Sequence, residues 1–308
     1  MWLVKMLLRL FKNFLTKGRL LKQWNATAIS LIPKKEGADK VKDFRPISLC
    51  NVIYKVISKL IARRIQDILP LMISNIQSAF VKGRLLVENV LLATEMVQGF
   101  NQKRISKRGL LKVDLRKAFD TVSWEFILST LRAADFPPTF TNWISQCLTS
   151  TSFSIMVNGD MCGNFQGTRG LRQGDPLSPA LFVIAMEVFG NLLDSKVDAG
   201  LIGLHPKGRN PKISHLAFAD DVMIFFDGKT LSLHNISEAL QEFQNLSGLA
   251  MNKEKSALYT ADLNPMETTL ISSFGFQSGS LPFRYLRLPL MHRKIRISEF
   301  SPLMDSLL

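Results

Sequence analysis

The stretch His215-Leu216-Ala217-Phe218-Ala219-Asp220-Asp221-Val222-Met223-Ile224-Phe225-Phe226 decides how this chain is read. Apolar residues run up to Ala219-Asp220-Asp221 and resume at Val222, which predicts strand, tight turn, strand. Asp has poor strand propensity, and an ionised carboxylate is costly to bury without a partner. Taken alone, the pair also fits an ordinary hairpin turn, where Asp is common. A third acid shifts the balance. Asp114 closes the apolar run Leu110-Leu111-Lys112-Val113, the pattern of a buried strand. A divalent cation would relieve the repulsion among such acids. Mg²⁺ takes hard oxygen ligands and keeps waters or phosphate oxygens in its other positions. Carboxylates from two strand ends suit two ions about 4 Å apart, the arrangement for in-line phosphoryl transfer.

Outward from these acids the chain reads as mixed helix and strand. Helical spacing predicts helices over 51–69, stopped by Pro70, and over 85–100, 121–132, 177–193 and 235–247. Pro137-Pro138 closes the third of these, and Gly248 ends the last. Residues 152–158 alternate like a strand and enter the turn Asn158-Gly159. Helices and antiparallel strands over one continuous core predict an α+β chain without an internal linker.

The charge is unevenly placed. The chain of 308 residues carries a net charge of +14, and residues 1–64 hold 15 Lys/Arg against Glu36, Asp39 and Asp43. Lys103, Arg104, Lys107 and Arg108 form a second basic block, and Arg284, Arg287, Arg293, Lys294 and Arg296 a third. Each block alone is an ordinary solvated face. Together they point to a polyanionic partner, foremost nucleic acid. The 46% hydrophobic content excludes intrinsic disorder. Three cysteines without C-x-x-C spacing exclude a disulfide scaffold or zinc knuckle and fit a reducing compartment. The four histidines show no metal-ligand spacing. No stretch reads as a membrane span. The basic, amphipathic N-terminus is read as a helix entering the domain rather than as an organelle-targeting peptide.

Further blocks follow one another along the chain. Trp24-Asn25-Ala26-Thr27 leads to Ile32-Pro33-Lys34-Lys35 and Asp43-Phe44-Arg45-Pro46-Ile47-Ser48-Leu49. Then come Gln77-Ser78-Ala79-Phe80-Val81-Lys82-Gly83-Arg84 and Lys112-Val113-Asp114-Leu115-Arg116-Lys117-Ala118-Phe119-Asp120. Gly170-Leu171-Arg172-Gln173-Gly174-Asp175-Pro176-Leu177-Ser178-Pro179 and Phe218-Ala219-Asp220-Asp221 follow. Gly248-Leu249 through Asn252, Lys255-Ser256, and Arg284-Tyr285-Leu286-Arg287-Leu288-Pro289-Leu290 complete the series. In this order the blocks resemble the reverse transcriptase domain of non-LTR (LINE-type) retrotransposons, especially plant forms, over residues 24–291.

The resemblance implies a right-hand polymerase with an antiparallel palm sheet backed by helices. Fingers are expected over about 1–105, the palm over about 106–262, and a post-palm segment with the start of a thumb over about 263–308. The thumb is expected to be largely absent, and endonuclease and zinc-segment functions to belong to a longer parent protein. The implied activity is RNA-directed DNA polymerase, using two Mg²⁺ ions with Mn²⁺ as substitute. Asp114, Asp220 and Asp221 are the implied catalytic carboxylates and metal ligands, with the Leu115 carbonyl as a further ligand. Asp221 is expected nearer the primer terminus. Phe119 is implied to pack on the sugar of the incoming nucleotide and reject a 2′-hydroxyl. Gln173 and Gly174 would line the nucleotide pocket, and Lys34 and Arg45 would grip its triphosphate. Lys255 would protonate departing pyrophosphate, with Lys253 as a competitor. Arg287 stands where relatives carry Gly.

The implied partners are an RNA template, a DNA primer or nicked target DNA, and dNTPs, at nuclear DNA. Two other readings are kept. One is a catalytically inactive remnant that retains the fold and binds RNA. The other is an RNA-copying RNA polymerase, against which Phe119 argues.

Overall fold

The computed structural model describes residues 2–293 apart from 104 and 287. Arg287, Lys294, Arg296 and the expected start of a thumb lie outside the described residues. The helices are α1 (Trp2–Lys17), α2 (Val52–Met72), α3 (Leu86–Val97), α4 (Ala118–Thr121), α5 (Trp124–Ala133), α6 (Pro138–Thr149), α7 (Ser178–Asp198), α8 (Thr230–Ser247) and α9 (Pro265–Ser272). The strands are β1 (Ala26–Pro33), β2 (Phe44–Cys50), β3 (Arg108–Val113), β4 (Ser152–Val157), β5 (Asp160–Gln166), β6 (His215–Phe218), β7 (Asp221–Phe226), β8 (Ala257–Ala261), β9 (Gln277–Ser278), β10 (Phe283–Tyr285) and β11 (Leu288–Leu290). None of the helices among the described residues is long and apolar enough to cross a membrane.

Several helix boundaries differ from the expectation: α3 ends at Val97, α7 runs on to Asp198 and α8 starts at Thr230, and three further differences have a local reason. The helix expected to stop before Pro70 runs through it to Met72. A proline in the final turn forfeits one backbone hydrogen bond and leaves two residues to follow. The helix expected over 121–132 is instead two, because the Ser123 hydroxyl accepts from the Phe126 N–H and starts α5 afresh. Pro138 does not merely close a helix. It occupies the first position of α6, where its missing N–H is no loss.

The fold divides into two compact units. The first contains the described residues up to Met72, with Lys117–Ala185 and Leu246–Leu249. Its sheet has the order β2-β1-β4-β5. β1 pairs antiparallel with β2, from Thr27 opposite Cys50 to Pro33 opposite Phe44, and parallel with β4. β4 turns into β5 through Asn158 and Gly159, both at positive φ, as a tight two-residue hairpin requires. In α2, Tyr54, Ile57, Ile61, Ile65 and Leu69 fall on one buried face at helical spacing.

The second unit contains Ile73–Arg116, Met186–Asn245 and the described residues from Ala250. Its sheet has the order β6-β7-β3-β8-β9, antiparallel except for the β8–β9 pair. One face is covered by α3, whose Val90, Ala93, Met96 and Val97 pack with Leu110, Leu216, Met223, Phe225 and Tyr259. Strand side chains alternate, so Leu111, Val113 and Ile224 turn to the opposite face, and they are just as fully buried. Burial on both faces explains why β3 and β7 read as unbroken apolar runs. Each fully buried aliphatic or aromatic side chain contributes about 1.5–3 kcal/mol.

Candidate active site

In the second unit the acids are brought together by strand register. β6 and β7 form a hairpin in which Phe218 opposes Asp221, leaving Ala219-Asp220 as a two-residue loop. β3 lies on the other side of β7, with Val113 opposite Val222. One further step along that register sets Asp114 beside Asp221. The Asp114 amide donates to Ser256 Oγ at 3.1 Å, and its carbonyl accepts from the Asn252 N–H at 2.8 Å. The Arg116 N–H donates to the Ala250 carbonyl. This Leu115–Met251 bridge uses the backbone groups of Leu115's neighbours, so the Leu115 carbonyl itself stays outside the ladder.

Electrostatics reports the same proximity. Asp220 is held above the usual carboxylate range, by desolvation first and by Asp114 as well. Asp221 is raised by desolvation, by Asp220 and by Asp114, and Lys112 opposes the rise. The buried Tyr285 phenol is also pushed up, by burial first and by Asp221 second. Lys112 sits two residues before Asp114, on the same side of β3. Its Nζ donates to the Arg284 carbonyl at 3.0 Å and lies 5.6 Å from the Phe283 ring centre. It thereby ties the β10–β11 hairpin to the strand that carries Asp114.

The donors suit a divalent cation: every one is a hard oxygen, and the carboxylates repel one another without a counter-ion. Among the described residues, no three His, Cys, Asp or Glu side chains are grouped so as to hold a metal ion between them. Lys253 and Lys255 are both exposed on the loop before β8. Ser256, without an assigned role in the sequence reading, is fully buried and fixes the Asp114 backbone.

Lys34, Arg45, Phe119, Gln173 and Gly174 lie in the first unit. Arg45 is exposed on β2 opposite Ile32. Lys34 follows β1, and its Nζ donates to the Lys42 carbonyl. Phe119 is half-buried and stacked on Phe182, ring centres 4.6 Å apart. It is thus anchored to the core by one face. The Leu171 N–H donates to the Phe119 carbonyl, and the Gly170 N–H to that of Val122. Gly170 has φ +87°, and a Cβ there would lie 2.6 Å from the Asp120 carbonyl oxygen, so only glycine permits this approach. The Gln173 carbonyl accepts from the Ser48 N–H at 2.8 Å, which fastens the loop to β2.

Beneath that loop lies a buried network of residues for which the sequence reading assigns no role. Arg172 forms an ion pair with Asp175 at 3.1 Å, and its guanidinium lies 4.0 Å from the Tyr54 ring centre. It also donates to Asn25 Oδ1 and to the Cys147 carbonyl. Tyr54 donates to Asp175 at 2.6 Å. Burial, then Asp175, pushes the Tyr54 phenol far up, so it remains a donor. Burial pushes the Cys147 thiol up to about 12, which leaves it unreactive. The buried charges are therefore paired and hydrogen-bonded, and above them the Gln173 side chain hydrogen-bonds Asp120.

The pattern of the family described as reverse transcriptase (RNA-dependent DNA polymerase) matches residues 32–290. The chain belongs to the reverse transcriptase family. It is 30% identical over 249 residues to the transposon TX1 uncharacterized 149 kDa protein of Xenopus laevis, covering 81% of this chain and 19% of that protein. It is 30% identical over 254 residues to the retrovirus-related Pol polyprotein from a type-1 retrotransposable element R2 of Popillia japonica, covering 80% of this chain and 34% of that protein. The chain thus spans between a fifth and a third of these relatives' length. Among solved structures it is similar to apo telomerase from Candida tropicalis truncated from its C-terminal domain. The TM-score is 0.60 at 12% identity, with 92% of this chain and 58% of that chain covered. That likeness shows a right-hand polymerase fold, as the sequence motifs implied. The motifs' resemblance to non-LTR retrotransposons is likewise shown. Reverse transcriptase domains depend on divalent metal ions.

Proposed function

We propose that this reverse transcriptase domain is an RNA-directed DNA polymerase of a LINE-type element, which adds dNTPs to a DNA primer on an RNA template. The observation that carries this reading is the register that sets Asp114 beside Asp221, one residue from Asp220, in a chain matched to the family over 32–290. Asp114 and Asp220 are assigned as the main ligands of two Mg²⁺ ions, with Asp221 nearer the primer end and the Leu115 carbonyl as a further donor. When bound, the ions supply Lewis acidity to the phosphate oxygens and lower the pKa of the primer hydroxyl. The primer 3′-hydroxyl gives its proton to water, its oxygen bonds to the α-phosphorus as the bond from that phosphorus to the α–β bridging oxygen breaks, and pyrophosphate leaves.

Lys34 and Arg45 are assigned to the triphosphate. Gln173 contributes a neutral amide at the nucleotide, and Gly174 allows the backbone close. Phe119, fixed by Phe182, offers its remaining face to the sugar. Lys255 donates the proton that pyrophosphate takes on departure. The basic residues of 1–64 fit phosphate contacts along the nucleic acid, so binding should weaken steeply with salt. Nuclear DNA is the proposed place of action.

The test is primer extension on an RNA template with Mg²⁺, comparing dNTPs with rNTPs in the wild type and in Phe119→Ala. DNA synthesis by the wild type is expected, with rNTP use rising at least about tenfold in the variant, a difference of ~1.4 kcal/mol. Hybrid binding without incorporation would favour the inactive remnant, and rNTP use by the wild type would favour an RNA polymerase.

A further inference from the structure

The block Gln77–Arg84 has no role in the account so far, yet the structure lays it against the turn that carries the acids. β6 is an edge strand, and residues 76–78 run beside it. The Ala217 N–H donates to the Ile76 carbonyl and the Ser78 N–H to the Ala217 carbonyl, both at 3.2 Å, in a parallel bridge between Gln77 and Ala217. From this position the Gln77 side chain reaches the loop. Its Oε1 accepts from the Ala219 N–H and from the Ala79 N–H, each at 3.0 Å. Two donors converging on one atom fix which end of the amide is oxygen.

Ala219 needs such an acceptor. It is buried, it lies beyond the last rung of the β6–β7 ladder, and it takes a left-handed conformation, φ +55°. A buried N–H in that place requires a partner, and a left-handed alanine persists only where its surroundings hold it. The next residue is Asp220, so the twist at Ala219 sets the direction of the Asp220 side chain.

Gln77 is itself held firmly. Its N–H donates to the Ser74 carbonyl at 3.1 Å, and its carbonyl accepts from Arg84 at 2.6 Å. Arg84 also grips the carbonyls of Ile73 and Ser74. The Ser74 N–H is bound by both oxygens of Glu187, on α7, at 3.0 and 3.1 Å. A neutral amide suits the position. A carboxylate would add a fourth negative charge behind Asp220, and a serine or threonine hydroxyl is too short to span the gap.

We propose that Gln77 is a positioning residue for divalent-cation binding: through its Oε1 it holds Ala219 in the left-handed conformation that aims Asp220. The proposal rests on the assignment of Asp114, Asp220 and Asp221 as the cation's ligands.

The experiment measures Mn²⁺ affinity by calorimetry on the full chain without nucleic acid, with Asp220→Asn as reference, alongside thermal melting and hybrid binding. Gln77→Met keeps the side chain's size and removes the acceptor. It is expected to weaken Mn²⁺ about tenfold or more, the usual effect of losing a group that orients a ligand. The melting temperature should fall, since the Ala219 and Ala79 N–H groups lose their acceptor, while hybrid affinity should change little. Gln77→Asn, one methylene shorter, should give the same weakening and serves if the Met variant does not fold. Ser78→Ala should leave Mn²⁺ affinity unchanged, since the Ser78 hydroxyl is buried with no partner among the described residues. Asp220→Asn weakened with both Gln77 variants unchanged overturns the role of Gln77 alone. Asp220→Asn unchanged overturns the ligand assignment and this proposal with it. Mn²⁺ affinity falling only in step with hybrid binding reduces Gln77 to a structural residue.

Discussion

The loop Arg172–Asp175 in one unit and the turn Phe218–Asp221 in the other are held by opposite means. The loop presents a neutral amide, Gln173, and rests on buried charges: Arg172 and Asp175, with Tyr54 bonded to the acid and stacked beneath the guanidinium. The turn presents charges, Asp220 and Asp221, and is held by a neutral amide, Gln77. The contrast follows from electrostatics. A charged support behind the carboxylates would compete with a cation for them or repel them further, whereas charges buried beneath a neutral group can satisfy one another.

The largest expected effect comes from breaking the charged support. Arg172→Met strands Asp175 as a buried carboxylate and should cost about 3–5 kcal/mol in urea unfolding. Tyr54→Phe leaves Asp175 its guanidinium partner and the Leu177 N–H, so it should cost only about 1–3 kcal/mol. Equal losses in the two variants would mean that the ion pair adds nothing beyond an ordinary hydrogen bond.

The smallest effect sharpens the other side. Desolvation and mutual repulsion raise Asp220 and Asp221 in the fold, so their ionised forms destabilise the metal-free protein near neutral pH. That strain is relieved as pH falls through the raised values. Asp220→Asn should therefore melt slightly higher than the wild type near neutral pH without metal. The advantage should shrink on acidification and reverse when Mn²⁺ is added. A variant less stable than the wild type in metal-free buffer would show that Asp220 has a structural partner.

The sequence exposed the acids because strand periodicity stops at them: Val113 gives way to Asp114, and Phe218 to the turn. It also exposed the β4–β5 hairpin through Asn158-Gly159. β1, β2 and β5 carry no strand signal in the sequence, for a physical reason. Their burial does not alternate cleanly, and β5 is exposed throughout, so no period-two signal forms. The supports were hidden by distance. Tyr54 meets Asp175 across 121 positions, and Gln77 meets Ala219 across 142. Nothing local marks a buried glutamine as a turn holder, or a tyrosine in an amphipathic helix as a partner for a loop. Ser256 is legible only once β8 is known to lie beside β3.

The most direct measurement is the rate of Mg²⁺-dependent primer extension on RNA by the wild type and by Asp220→Asn, at matched fold and hybrid affinity. Removing one ligand oxygen should lower the rate about a thousandfold or more, the equivalent of the several kcal/mol that a metal-stabilised phosphate oxygen supplies. Extension by Asp220→Asn at the wild-type rate would contradict the assignment of the turn as the seat of catalysis.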